Sequence, residues 1–291
     1  MKVLMNDQAA KLRKKVEMLR AYRQAKTIAI VSGKGGVGKS NFALNFSLSL
    51  TKKRKKVLIF DMDIGMGNID ILLGLTPKYS IVDMFEEHLS IDDVIESGPN
   101  SLSYIAAGSG LADIFTMDEE KFDYFLNELE GLVNSYDYII FDMGAGVSEA
   151  TFYYMLAVDE CIVITTPEPT SLTDAYAMIK HVSYKSAELP ISLLVNRAQS
   201  QKSGQKTMER LQQVVLKFLE KEISPLGVLP DDKTVIRAVS SQTPFLTYDP
   251  NALVSVAINQ IVDQYVNDRI DIEKKVPISF IKKLKNFIKE R

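Results

Sequence analysis

The run Gly33-Lys34-Gly35-Gly36-Val37-Gly38-Lys39-Ser40 constrains this chain more than any other feature. It fits G-x-x-x-x-G-K-[ST], the spacing of a phosphate-binding loop. The context fits as well, because the run follows an apolar stretch (27–33) and opens a helical pattern (39–53). Glycines let backbone N–H groups curl around an anion without Cβ clashes. The helix that follows points its positive N-terminal end at the same anion. In that arrangement Lys39 reaches the β- and γ-phosphates, Ser40 ligates Mg²⁺, and Asn41 sits beside them. A second lysine, Lys34, stands at the front of the same loop, and its position calls for a separate explanation.

Around this loop, short apolar runs alternate with helical patterns. The stretches 27–33, 56–63, 102–108, 136–144, 160–167, 190–197 and 225–232 are Val/Ile-rich and nearly continuous in hydrophobicity. Strands buried on both faces have this composition, as in a parallel sheet covered by helices. Helical patterns lie at 39–53, 68–75, 118–134, 148–156, 171–186, 205–221 and 251–267. The alternation predicts one doubly wound α/β domain over 26–268, mostly parallel, with helices on both faces. Ligands bind such sheets at the carboxyl ends of the strands. Two acidic motifs fall there. Asp142 ends "IIFDMGAG" and can hold Mg²⁺ or its water, while Gly144 and Gly146 leave the next loop free to move with the phosphate state. Asp61 and Asp63, two apart in "LIFDMDIGMGNID", point to one side of a strand end. One can help hold the metal and the other can position an attacking water.

Charge divides the chain. Residues 1–26 carry eight Lys/Arg against two Asp/Glu, and residues 276–291 carry five against one. With a net charge of −2 overall, tails of +6 and +4 leave −12 for the body. An acidic body is a poor non-specific nucleic-acid binder, so none is expected as a partner, and the basic tails become the contact points for anionic partners. The single cysteine, Cys161, lies in an apolar run and reads as a buried core thiol. The N-terminus turns charged too early for a signal peptide, and no run approaches the roughly 18 apolar residues of a membrane span. A cytoplasmic protein is expected.

The N-terminal tail places Met5, Ala9, Leu12, Val16 and Leu19 on one helical stripe, with Asp7 as a candidate cap. In the C-terminal tail, Val276, Phe280, Ile281, Leu284, Phe287 and Ile288 share one side of a helix. Lys282, Lys283, Lys285 and Lys289 occupy the opposite side. Such a helix suits an anionic membrane surface. The alternative is a helix docked on the domain's own core, and the two coexist if ADP favours docking.

The loop K-G-G-V-G-K-S with Lys34 resembles the deviant P-loop of the MinD/ParA family of ATPases, and the resemblance runs through most of the chain. "LIFDMDIGMGNID" and "YDYIIFDMGAGVSEAT" are similar to that family's two switch segments, and "TTPEPTSLTDAY", "LVNRA" and "LGVLPDDKTVIRAVSSQTPF" follow in order. MinD carries a proline where this chain has Gly144. The resemblance implies ATP/ADP as the nucleotide, with Mg²⁺, and a homodimer formed with ATP. Lys34 would touch the partner's phosphates, a catalytic role shared with Lys39, and Asp63 would orient the hydrolytic water. Asn196, Pro230, Asp231 and Asp232 would cradle adenine, and Glu149 would lie near the ribose across the dimer.

Asp7-Gln8-Ala9-x-x-Leu12-Arg13 further resembles the D-Q-A-x-x-L-R signature of the FlhG (YlxH/FleN) family, MinD-like regulators of flagellar number and placement. That implies a partner-activating segment over 1–25, through Asp7, Gln8, Leu12 and Arg13, directed at FlhF, a GTPase similar to those of the signal recognition particle. It also implies flagellar basal-body or C-ring partners. The segment 269–291 resembles MinD's C-terminal membrane-targeting helix and would put the ATP-state protein on the inner face of the cell membrane. The alternatives are a positioning ATPase for division or cargo partition, and a metabolic P-loop ligase. The cluster-binding nitrogenase iron-protein branch needs two cysteines per subunit, and this chain has one.

Overall fold

The computed structural model describes residues 24–63, 67–108, 119–144, 149–267 and 279–289. In chain order the elements are β1 (Lys26–Val31), α1 (Lys39–Lys52), β2 (Val57–Met62), α2 (Ile69–Leu73), α3 (Ile81–Glu86), β3 (Glu96–Ser97) and β4 (Ser103–Ile105). They continue with α4 (Glu119–Ser135), β5 (Tyr138–Met143), α5 (Glu149–Ala157), β6 (Glu160–Thr165), α6 (Pro169–Lys185), β7 (Ile191–Ala198) and α7 (Gln201–Leu219). The last are β8 (Ser224–Pro230), α8 (Lys233–Ser240), α9 (Phe245–Tyr248), α10 (Leu253–Asn267) and α11 (Phe280–Lys289).

One sheet runs β3-β4-β2-β5-β1-β6-β7-β8. Every pairing is parallel except β3 with β4 at the edge. All seven strands expected from the apolar runs are present. β3, with only two residues, carries no period to read.

Alternation along β1 explains the two-sided core. Ile28 and Ile30 face one helical layer with Phe42 and Phe46 of α1 and Tyr265 of α10. Ala29 and Val31 face the other layer with Phe141 and the helices α4 to α7. α1 is buried almost all round. Its inward polar groups are all paired: Ser49 Oγ with Asn259 Oδ1 at 2.7 Å, and Asn45 Oδ1 accepts from Leu246 N at 2.9 Å. This packing fixes the helix that carries the phosphate loop. β1 lies centrally between β5 and β6, and the chain crosses from β1 over β5 to β2 on one side and later from β5 over β1 to β6 on the other. That strand-order reversal puts the binding crevice at the carboxyl end of β1.

The C-terminal segment was expected as a membrane-targeting helix, with docking on the domain as the alternative; the structure shows α11 docked. Phe280 and Leu284 are buried in the core layer of β5. Phe280 stacks on Phe141 with ring centroids 5.3 Å apart. The helix packs against α5 and α4. Ile281 and Phe287 are half-buried against the same cluster, while the side chain of Ile288 lies outside the described residues. The basic face is also partly engaged: Lys283 Nζ donates to Val158 O at 3.3 Å and pairs with Asp159 at 3.6 Å, and Lys285 pairs with Asp123 at 3.2 Å. Lys282 is exposed. In this conformation the face expected to meet lipid therefore meets the domain. An apolar stripe flanked by lysines fits the gap between two acidic-edged helices as well as it fits an anionic bilayer. The expected activator helix of the first 25 residues, with Asp7, Gln8, Leu12 and Arg13, lies outside the described residues apart from its last two positions.

Candidate nucleotide site

β1 ends at Val31 and the loop climbs over the start of α1. Gly36 and Gly38 have φ of 78° and 93°, so both need glycine. Gly38 is also packed beneath Asn196: a Cβ there would lie 2.5 Å from Asn196 Nδ2. Asn196 braces the loop by donating to Val37 O at 2.8 Å, while its Oδ1 accepts from Arg197 N at 2.9 Å. Arg197 consequently sits at φ 54°, in the left-handed region. At the front of the loop, Gly33 abuts α6, where a Cβ would meet Asp174 O at 2.1 Å.

The two lysines part company. Lys39 is buried and donates to Asp142 Oδ1 at 2.9 Å. Lys34 is exposed, and its Nζ lies 3.3 Å from both Glu168 Oε2 and Thr170 Oγ1 on the rim formed by the β6–α6 turn. The sequence pattern gave no reason to single out Glu168 or Thr170. Only the Pro167-Glu168-Pro169 turn beyond a strand end hinted at a rim.

Asp61 and Asp142 are direct register partners on β2 and β5. Asp61 is fully enclosed, with Oδ1 accepting from Asp63 N (3.0 Å) and Oδ2 accepting from Asn68 N (2.8 Å) and Ile69 N (3.2 Å). Burial, and then the Asp142 charge, push its carboxyl up to about 7 against those three N–H groups. Asp63 is half-buried and accepts from Asn68 Nδ2 at 3.1 Å. Burial raises its carboxyl above the ordinary range, Lys39 opposes that, and Asp142 adds to it. Asp142 Oδ2 is buried with no partner among the described residues. The orphaned Asp142 Oδ2 and the hydroxyl of Ser40, in the first turn of α1, are hard oxygen donors of the kind Mg²⁺ takes. Among the described residues no cluster of three or more His, Cys, Asp or Glu forms a ready-made metal cage. That suits a cation that takes one or two protein oxygens and the substrate's phosphates.

A cleft of about 600 Å³ opens beside the loop, lined by Gly38, Asn41, Asn196, Pro230, Asp231 and Asp232 among others. The residues expected at an adenine are thus gathered in one place. Asp232, however, spends its carboxylate on protein. It caps α8 by accepting from Thr234 N at 2.8 Å, and it accepts from Val254 N at 3.3 Å. Burial pushes its carboxyl up, and these N–H groups more than offset that, leaving it low. α8 and α9, which close the far wall with Val235, Ile236 and Phe245, were not read from the sequence. Glu149 opens α5, and its side chain lies outside the described residues.

A strand, glycine loop and buried helix at the switch of a parallel sheet, with a lysine and an aspartate facing across it, define a P-loop NTPase. The chain belongs to the ParA family: the family model described as "NUBPL iron-transfer P-loop NTPase" matches residues 23–266. It is 30% identical to the antiactivator FleN of Pseudomonas aeruginosa, over 81% of this chain and 85% of that one. It is 35% identical to the flagellum site-determining protein YlxH of Helicobacter pylori, over 90% of each. Among solved structures, the MinC:MinD cell division complex of Aquifex aeolicus superposes with a TM-score of 0.67 at 25% identity, covering 88% of this chain and 99% of that one. The expected resemblance to the FlhG (YlxH/FleN) proteins and the expected fold both hold. The one cysteine in the sequence, Cys161, is free and buried, as expected of a core thiol.

Proposed function

We propose that this chain is an ATPase that dimerises with ATP, associates with the inner face of the cell membrane and regulates flagellar number and placement. The observation that carries the reading is the division of labour between the two loop lysines. Lys39 is enclosed with Asp142 and serves the chain's own phosphates. Lys34 stands on the exposed rim, held among the described residues by Glu168 and Thr170, where a second copy's phosphates can replace them. A cation supplied from the partner stabilises the charge of phosphoryl transfer and makes ATP part of the interface. Ser40 and Asp142 would hold Mg²⁺, with Asp61 behind Asp142; the ion would neutralise charge on the β- and γ-phosphates. Asp63 positions the water. Asn41, Asn196, Pro230 and Asp231 line the base and sugar end, Asp232 holds that wall, and Glu149 reaches the partner's ribose.

The flagellar role rests on similarity to FleN and YlxH and on the tails. The N-terminal D-Q-A-x-x-L-R segment stimulates an FlhF-type GTPase: a glutamine can orient its water, and an arginine can neutralise phosphate charge. Basal-body or C-ring components are the further partners. α11 docks on α5, the element that follows β5 in the chain, so a shift of α5 with the nucleotide state would reach the docking surface. Release of α11 turns its Phe/Leu/Lys faces to an anionic bilayer. No helix among the described residues is long and apolar enough to cross a membrane. Size-exclusion chromatography with light scattering tests the switch. A monomer with ADP and a dimer with ATP are expected; a monomer in both refutes the dimer.

A further inference from the structure

Gly144 follows β5, two residues past Asp142, and its φ lies outside the left-handed region. Backbone conformation therefore does not call for glycine there, but space does. A Cβ at 144 would lie 2.8 Å from Asp63 Oδ1, 3.2 Å from Asp63 Cα and 3.3 Å from Asp63 Cγ. Rotation of the carboxylate could relieve the first contact. It cannot relieve the second, because the Cα moves only with the backbone. On its other side Asp63 is held by Asn68 Nδ2 at 3.1 Å and by its own N–H on Asp61 Oδ1 at 3.0 Å. Asp63 is thus clamped between the β2–α2 loop and the bare backbone at 144. Gly67 in the same loop is different: a Cβ there would stand 3.5 Å from Asp61 Oδ2, an ordinary contact.

We propose that Gly144 is a positioning residue for ATP hydrolysis in this chain: where MinD carries a proline, the bare backbone here is the space into which Asp63 packs. The backbone at 144 and Asp63 are then in contact, so a shift of either displaces the water-positioning carboxylate. The inference rests on the assignment of Asp63 to the water. The three atoms nearest a Cβ at 144 all belong to Asp63, so added volume there displaces Asp63 first, slowing chemistry and sparing binding.

The test compares the full-length protein with Gly144→Ala, Gly67→Ala, Asp63→Ala and the Asp63→Ala/Gly144→Ala double variant. The measurements are steady-state and single-turnover ATP hydrolysis and the affinity for a fluorescent mant-ADP. Gly144→Ala is expected to lower kcat about tenfold or more, with KM and mant-ADP affinity within about twofold, and Gly67→Ala to match the wild type. The double variant should hydrolyse no more slowly than Asp63→Ala alone. A Gly144→Ala kcat within twofold of wild type overturns the proposal. So does loss of mant-ADP binding, which would give Gly144 a role in building the nucleotide site, and so does a further slowing in the Asp63→Ala background. If Asp63→Ala itself hydrolyses at the wild-type rate, the assignment of Asp63 fails first, a result recognisable without any Gly144 variant.

Discussion

Leu284→Ala isolates the hold on the C-terminal helix. Leu284 is fully buried, and Phe280 beside it is 3% exposed. Burying each stabilises the docked helix by about 1.5–3 kcal/mol. The Lys283–Asp159 and Lys285–Asp123 pairs are part-exposed and add about 0–1 kcal/mol each. Truncating a buried leucine to alanine costs about 2–5 kcal/mol, because the cavity adds to the lost transfer energy. That loss is a large share of the local hold, so the helix should open far more often while the sheet stays closed. In hydrogen–deuterium exchange, amides of 280–287 should lose protection by about 30-fold or more, since every 1.4 kcal/mol is a factor of about ten. Amides of β1, β5 and β6 should keep theirs. Lys285→Ala, which removes only a surface pair, should change the same amides less than about fivefold. Equal protection in wild type and Leu284→Ala, or equal loss in the helix and the central strands, would refute the view that α11 is a separately releasable element.

A peptide of residues 1–25 should raise the GTPase rate of an FlhF-type partner without the ATPase domain, and Gln8→Ala should remove most of that gain. A peptide without effect, beside an active full-length protein, rules the tail out as the activator. At the opposite end of the sheet, burial pushes the Glu160 carboxyl up. Lys26 and the Ser192 and Tyr265 hydroxyls outweigh it and hold the group below its usual 4.5. A depressed carboxylate adds stability that is full above its unfolded value and is lost as pH falls through its folded value. Glu160→Gln should therefore melt lower than wild type at pH 7, with the gap closing below about pH 4.5. A constant gap from pH 7 to pH 3 would contradict this.

The central strands β1, β2, β5 and β6 were legible because burial on both faces leaves an unbroken apolar run, and α1 because a glycine loop precedes it. α8 was not, since Val235 and Ile236 are β-branched and its start, Asp232, looked like the tail of a strand. The phosphate loop announces its own chemistry. The contact between Asp63 and Gly144 does not, because it depends on the β2–β5 register, which no local pattern encodes. The docked face of α11 was illegible for a different reason: the same stripe of Phe280, Leu284 and Phe287 satisfies a protein groove and a lipid surface equally.

Co-sedimentation with anionic vesicles tests the coupling of nucleotide to the tail most directly. One amphipathic helix binds lipid weakly, whereas two held in a dimer bind far better through effective concentration. The full-length protein, and Asp63→Ala still more, should pellet with vesicles in ATP and stay in solution in ADP. Added salt should weaken the binding, and a chain lacking 276–291 should not pellet in either nucleotide. Equal pelleting in ATP and ADP, or by the truncated chain and the intact one, would contradict a nucleotide-released membrane helix.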